Sequence, residues 1–236
     1  MISIIVLSYN DAKYAKDCIQ SIKEKTIEPH NVILVNNGCD VENTKILEFI
    51  EDVDYYLREE KNLGLPNGYN IGIKKAIEIG SDFVCLMNAD TKVETHGWLT
   101  NMIDVFTENF DAGMVAAMTN KIANKKQNWD SYGKKLPKKI IEANWVGLGM
   151  TLIPVKVIEE VGLLDEKMTP GAGVDVEYSL RLHKAGYRMF VDGYTYVWHE
   201  GKVSFNQLSI PYKDLQKRNI PYIKEKYPNT WRRGLK

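Results

Sequence analysis

The stretch Phe83-Val84-Cys85-Leu86-Met87-Asn88-Ala89-Asp90-Thr91 decides how this chain is read. An unbroken apolar run stops abruptly at a small polar cluster that carries one carboxylate. A run this short, bounded by polar residues, predicts a strand buried on both faces. In open α/β sheets, ligands bind just beyond the carboxyl ends of such strands. Asp90 therefore stands where a metal or a substrate would be held. Two later segments carry matching chemistry: Gly173-Val174-Asp175-Val176-Glu177 and Trp198-His199-Glu200-Gly201. Carboxylates and a histidine on three separate segments form a site only if folding brings them together.

Outward from that strand, the first half of the chain alternates between two periodicities. Ile2–Leu7, Asn31–Val35, Val53–Leu57, Asp82–Met87 and Ala112–Met118 read as strands. Asp11–Lys25, Glu42–Ile50, Asn67–Ile79 and Gly97–Asn109 read as helices, the third closed by Gly80. This alternation predicts one α/β domain with a mostly parallel central sheet flanked by helices. The second half is less regular. Asn120–Lys138 is polar, lysine-rich and weakly periodic, and reads as a mobile loop. Ile140–Pro154 reads as strand-like, Val155–Val161 and Asp175–Ala185 as helices, and Arg188–Val191 and Thr195–Val197 as two short strands. Pro211–Tyr227 reads as a helix kinked or broken at Pro221. The expected organisation is a domain over 1–210 in two halves (1–118 and 119–210), then a basic aromatic tail over 211–236.

Basic and acidic residues balance at 31 each, so no global field points to nucleic acid. Lysines do cluster between Lys121 and Lys139 and again from Lys213 to Lys236. Such runs are solvated faces or contacts to an anionic partner, including a membrane surface. In the tail, Tyr212, Tyr222, Tyr227 and Trp231 offer the competing reading of structural packing. Three widely spaced cysteines, Cys18, Cys39 and Cys85, match no zinc spacing or disulfide framework and suit a reducing cytoplasm. The apolar start, Met1–Leu7, is too short to span a membrane, so any membrane contact is expected to be peripheral.

The strand ends Leu7-Ser8-Tyr9-Asn10 and Val35-Asn36-Asn37-Gly38 both switch from apolar to hydrogen-bonding residues. Asn amides suit the edge of a nucleobase; they equally suit helix caps and turns. Asn62–Gly72 packs glycines and asparagines around a helix start, where backbone amides favour a phosphate or ribose. It is neither a Walker loop nor a dinucleotide fingerprint. One carboxylate, Asp90, with substrate phosphates and water, suits Mg2+ or Mn2+; His199 would bias the choice toward Mn2+. The competing reading of His199 is a buried structural histidine beside Trp198. Asp175 follows Gly171-Ala172-Gly173 and could serve as a general base on a hydroxyl. Asp175 and Glu177, at i and i+2, point to different helix faces, and either could be a charge placed favourably in a first helical turn.

Together these segments resemble glycosyltransferase family 2, the inverting family with the GT-A fold, and within it the rhamnosyltransferase-like members. Ile4–Asn10 is similar to the family's first-strand signature. Val35-Asn36-Asn37-Gly38-Cys39-Asp40 resembles its second-strand end, with Asn36 where the family has Asp. Asn62–Gly72 resembles its Asn- and Gly-rich segment, and Asn88-Ala89-Asp90 its Asp-x-Asp motif with the first Asp replaced. Val161–Glu166 looks like the usual Val-Gly-Gly-Phe-Asp-Glu, and Val174–Arg181 like Glu-Asp-Val-Asp-Leu-x-x-Arg, with Val174 replacing Glu. The resemblance implies that Ser8, Tyr9, Asn37, Asn67, Asn70, Asn88, Ala89 and Asp90 bind a UDP- or dTDP-sugar. It implies that Asp90 and His199 hold Mn2+ or Mg2+, that Asp175 is the base, and that Trp145, Gly147 and Glu177 line the acceptor side. The acceptor would be a glycan, glycolipid or protein, as in polysaccharide biosynthesis. The replaced acidic residues leave open a non-catalytic nucleotide-sugar or glycan-binding module. A sugar nucleotidyltransferase would need a Gly-rich basic loop where Ser8-Tyr9-Asn10-Asp11 stands.

Overall fold

Alternate residues of the buried strands enter two separate cores. Ile5, Ile33, Val84 and Leu86 pack on one face of the sheet, and Ile4, Leu34, Cys85 and Met87 on the other. This is why the strands read as continuous apolar runs. The computed structural model describes residues 1–201, 203, 207 and 211–228. In chain order, the first half builds β1 (Ile2–Ser8), α1 (Ala12–Lys25), β2 (His30–Asn37), α2 (Val41–Glu48), β3 (Tyr55–Glu59), α3 (Leu65–Glu78) and β4 (Phe83–Asn88). Helical crossovers make β3, β2, β1 and β4 a parallel block. α3 lies close on β1 because Gly68 and Gly72 carry no side chain; a Cβ at either would stand 2.5 Å from Leu7 or Ile5. Two glycines of the Asn62–Gly72 segment therefore serve packing.

The chain continues as β5 (Thr91–Val93), α4 (Trp98–Glu108), β6 (Ala112–Met118), β7 (Ile140–Ala143), β8 (Met150–Pro154), α5 (Val155–Val161), α6 (Val174–Lys184), β9 (Arg188–His199) and α7 (Tyr212–Lys226). Among the described residues the sheet runs β3-β2-β1-β4-β8-β6-β9-β5, with β7 also on β9. The second half adds the antiparallel pairs β4–β8, β6–β8, β5–β9 and β7–β9 and the parallel pair β6–β9. The result is a mixed sheet with a parallel first half, flanked by helices.

Several elements differ from the sequence reading. β5 was not anticipated; three residues are too few for a period to show. The two short strands expected after Arg188 form one strand, β9. Gly193 interrupts the apolar pattern, yet its N–H and carbonyl bond the backbone of Lys139 and Lys138 at 3.1 Å each. The segment expected to be a mobile loop is irregular but fastened. Gln127 is fully buried, donates to the Ala117 carbonyl (3.1 Å) and accepts from the Gly147 N–H (2.8 Å). Trp129 stacks on Tyr196 with ring centroids 4.3 Å apart. Buried polar side chains that bond distant backbone leave no trace in periodicity. Finally, α7 runs through Pro221 unbroken. Leu215, Asn219, Ile223 and Tyr227 form its buried stripe, and Pro221 is exposed, where water can serve the carbonyl left without a partner. Tyr222 and Tyr227 pack the described tail onto the core; Trp231 lies outside the described residues.

Candidate functional site

The tips of β1, β2, β4 and β9 and the start of α6 surround a cavity of about 750 Å3. Asp90 lies two residues past β4, immediately before β5, and His199 ends β9. Antiparallel pairing sets Thr91 opposite His199, so β5 carries Asp90 to the histidine. His199 Nε2 then lies 3.3 Å from Asp90 Oδ1, and the Gly201 N–H donates to Asp90 Oδ2 at 3.0 Å. Asp90 is buried. Burial pushes its carboxyl up, but the bond and charge of His199 and the Gly201 N–H outweigh that and hold it below its usual range.

Neighbouring backbone decides the tautomer of His199. Its Nδ1 is 3.0 Å from the carbonyl of Lys121, which can only accept, so Nδ1 carries the proton. In the neutral ring, Nε2 then presents a lone pair to a carboxylate, an arrangement that calls for a shared cation. A second ring nitrogen donating to a backbone carbonyl is the usual support of a metal-bound histidine. Among the described residues no group of three or more His, Cys, Asp or Glu could hold a metal. One carboxylate and one imidazole still fit a cation whose other ligands come from phosphate and water.

Across the cavity, Asp175 stands in the first turn of α6, behind Gly173, whose φ is +85°. Its carboxylate accepts from the Val176 N–H at 2.9 Å. Half-buried and facing the cavity, it is pushed up to about 6 by desolvation, which these backbone bonds only partly offset. Among the described residues no cationic side chain contributes to that balance.

Of the residues anticipated from sequence, Tyr9, Asn37, Asn88, Ala89, Asp90, Trp145, Gly147, Asp175 and His199 line the cavity. Asn37 does so with a committed amide: it donates to Asn62 Oδ1 and the Gly64 carbonyl and accepts from the Leu63 N–H. The structure does not bring Ser8, Asn67, Asn70 or Glu177 to the cavity wall. Ser8 is buried and donates to Asp11 at 2.6 Å. Asn67 bonds the Leu63 carbonyl and Thr169, and Asn70 bonds Leu164 and Glu166. Glu177 turns away from Asp175 to Arg181, Lys226 and Tyr227.

Sequence reasoning missed Asn120. Its amide donates to the His199 carbonyl (3.0 Å) and accepts from the His199 N–H (2.7 Å), clasping that residue from both sides. The signal was available, because Asn120 closes the apolar run of β6 much as Asp90 closes β4. Tyr69 was missed too. It is fully buried, and its hydroxyl donates to Asn88 Oδ1 at 2.8 Å.

The family model described as Glycosyl transferase family 2 matches residues 3–156. The chain belongs to glycosyltransferase family 2. Its fold is GT-A. The family 2 chain superposes on the mannosyltransferase PcManGT from Pyrobaculum calidifontis in complex with GDP-Man and Mn2+. That match has a TM-score of 0.69 at 13% identity and covers 98% of this chain and 64% of that one. GalNAc-T7 with UDP, GalNAc and Mn2+ gives 0.66 at 12% identity, covering 98% and 57%. In sequence, 119 residues are 28% identical to the teichoic acid poly(glycerol phosphate) polymerase of Staphylococcus epidermidis, 49% of this chain but 16% of that protein. The matches thus cover less than two thirds of each of these three proteins, and only a sixth of the polymerase.

Proposed function

We propose that this family 2 chain transfers a sugar from a nucleotide diphosphate donor to an acceptor hydroxyl, with inversion. One observation carries the reading: one cavity joins a cation-competent pair, Asp90 and His199, to a carboxylate, Asp175, that has no cationic partner among the described residues. Asp175 is poised for general base work because burial raises its proton affinity toward neutrality. It would take the acceptor hydroxyl proton while that oxygen attacks the anomeric carbon opposite the departing diphosphate. The transition state would be oxocarbenium-like, and a single displacement inverts the centre. Asp90 and His199 would hold Mn2+ or Mg2+, which supplies neutralisation of charge on the diphosphate. Tyr9, Asn37 and Asn88 lie on the donor wall; Trp145 and Gly147 lie on the acceptor wall.

The donor proposed first is UDP-linked, with dTDP- and GDP-sugars as alternatives, the last because PcManGT was solved with GDP-Man. Polysaccharide, glycolipid or glycoprotein synthesis is the proposed setting, in keeping with the teichoic acid polymerase relative. No described helix is long and apolar enough to cross a membrane; the exposed lysines of 121–139 are proposed for an anionic acceptor or membrane surface. The test is a panel of UDP-, dTDP- and GDP-sugars, with and without Mn2+, read as nucleotide release and as the anomeric configuration of the product. Tight nucleotide-sugar binding without turnover across the panel would favour a non-catalytic binding module.

A further inference from the structure

Glu177 sits two residues beyond Asp175 on α6 and is fully buried. Its carboxylate is shared by Arg181 Nη2 (2.8 Å), Lys226 Nζ (2.9 Å) and Tyr227 OH (2.8 Å). Lys226 and Tyr227 come from the end of α7. About two turns earlier, Asn219 is 3% exposed. Its Nδ2 donates to the carbonyls of Met168 (3.1 Å) and Ala172 (2.8 Å). Between those carbonyls lie Pro170 and Gly171, which line the cavity. Gly171 and Gly173, both at positive φ, form the approach to Asp175.

A glycine-rich approach does not hold its own shape, because glycine populates many backbone conformations. The Leu65 N–H bonds the Pro170 carbonyl (2.9 Å) and Asn67 bonds Thr169, but the side chain that spans this approach from outside, from Met168 to Ala172, is Asn219. An apolar contact would dock α7 equally well, and burying a carboxylate among cations costs desolvation that pairing only offsets. What directional bonds add is orientation. Here they fix the turn of α6 that bears Asp175 and the loop that leads into it. Asp90 and His199 are carried instead by β4, β5 and β9.

We propose that α7 is the positioning element of the general base: Asn219, Lys226 and Tyr227 hold the loop and helix turn that carry Asp175, and so set kcat rather than donor affinity. This rests on the reading of Asp175 as the base. Small misplacements of a reacting group cost up to about 10²-fold in rate.

The test uses the full chain, UDP with Mn2+ for the donor half, and nucleotide release from the panel sugar that turns over fastest. Asn219→Ala should lower kcat by about 10-fold or more, leave donor KM and calorimetric UDP affinity unchanged, and raise hydrogen exchange over 168–176. Lys226→Met should do the same, and Lys226→Arg should restore kcat. Where Asn219→Ala does not fold, Tyr227→Phe, which deletes one hydroxyl, gives the reading. Unchanged kcat and exchange would overturn the proposal, as would an equal loss of UDP affinity and kcat. If Asp175→Asn keeps full turnover, the base assignment itself fails. If no panel sugar turns over, exchange over 168–176 against unchanged UDP affinity still decides whether α7 holds this loop.

Discussion

His199 Nε2 faces Asp90 Oδ1 at 3.3 Å, and its other ring nitrogen is committed to the Lys121 carbonyl. Two electron-rich atoms at this distance need a cation between or on them. A divalent metal would meet that need when a diphosphate supplies the remaining ligands.

Mn2+ should therefore tighten UDP binding, and Asp90→Ala should abolish that gain. Asn120→Ala leaves the Asp90 and His199 side chains in place but frees the His199 backbone, and should weaken metal-dependent binding by about 10–100-fold, the usual cost of losing outer-shell support. Titration calorimetry with UDP in Mn2+ and in EDTA measures both. Equal affinities in the two buffers would remove the metal assignment.

Asp175→Asn keeps the size of the side chain and removes the proton acceptor. Turnover should fall by about 10² to 10⁴-fold, with UDP affinity unchanged. A variant that keeps near-full turnover would place the base elsewhere.

Desolvation raises the Asp175 carboxyl to about 6, and the working form of a base is the ionised one. Turnover should rise tenfold per pH unit below about 6 and level off above it. Stability moves the opposite way. The folded chain holds this proton more tightly than the unfolded chain, so Asp175 contributes fully below the usual carboxylate range, and that contribution is lost as pH rises through about 6. Asp175→Asn should flatten this part of a Tm-against-pH curve; an unaltered curve would show that the carboxyl is not shifted.

A Cβ at Gly149 would stand 2.3 Å from Asn88 Nδ2. Gly149→Ala should displace the Asn88 amide, break its bond from Tyr69, and weaken UDP binding. Overpacking of this kind costs about 1–3 kcal/mol of stability. If Gly149→Ala binds UDP like the wild type, Asn88 has no part in the donor wall.

Removing the Glu177 carboxylate leaves Arg181 and Lys226 without their shared partner. Breaking a buried ion pair costs about 3–5 kcal/mol, which for a chain of this size lowers Tm by roughly 6–20 °C. Glu177→Ala should show this fall in differential scanning calorimetry. A change of a degree or less would mean that the cluster contributes little to stability.

Local periodicity was enough to read the strand–helix order from β1 through β4, because burial on one face or on both writes itself into the spacing of apolar residues. It also placed Asp90 and Asn37 at strand tips, since the switch from apolar to polar residues marks where a strand leaves the core. Asp175 was legible as the carboxylate behind a glycine approach. Which polar residues face the cavity depends on long-range packing. Asn67, Asn70 and Glu177 have the same chemistry as residues that line it, but their donors and acceptors are spent on Leu63, Leu164 and α7. Asn120, Gln127 and Asn219 act through backbone atoms far away in the chain, and no local pattern reports the partner of a side chain. Likewise, His199 meets Asp90 through the antiparallel pairing of β5 with β9, a long-range contact set by the shape of the assembled sheet.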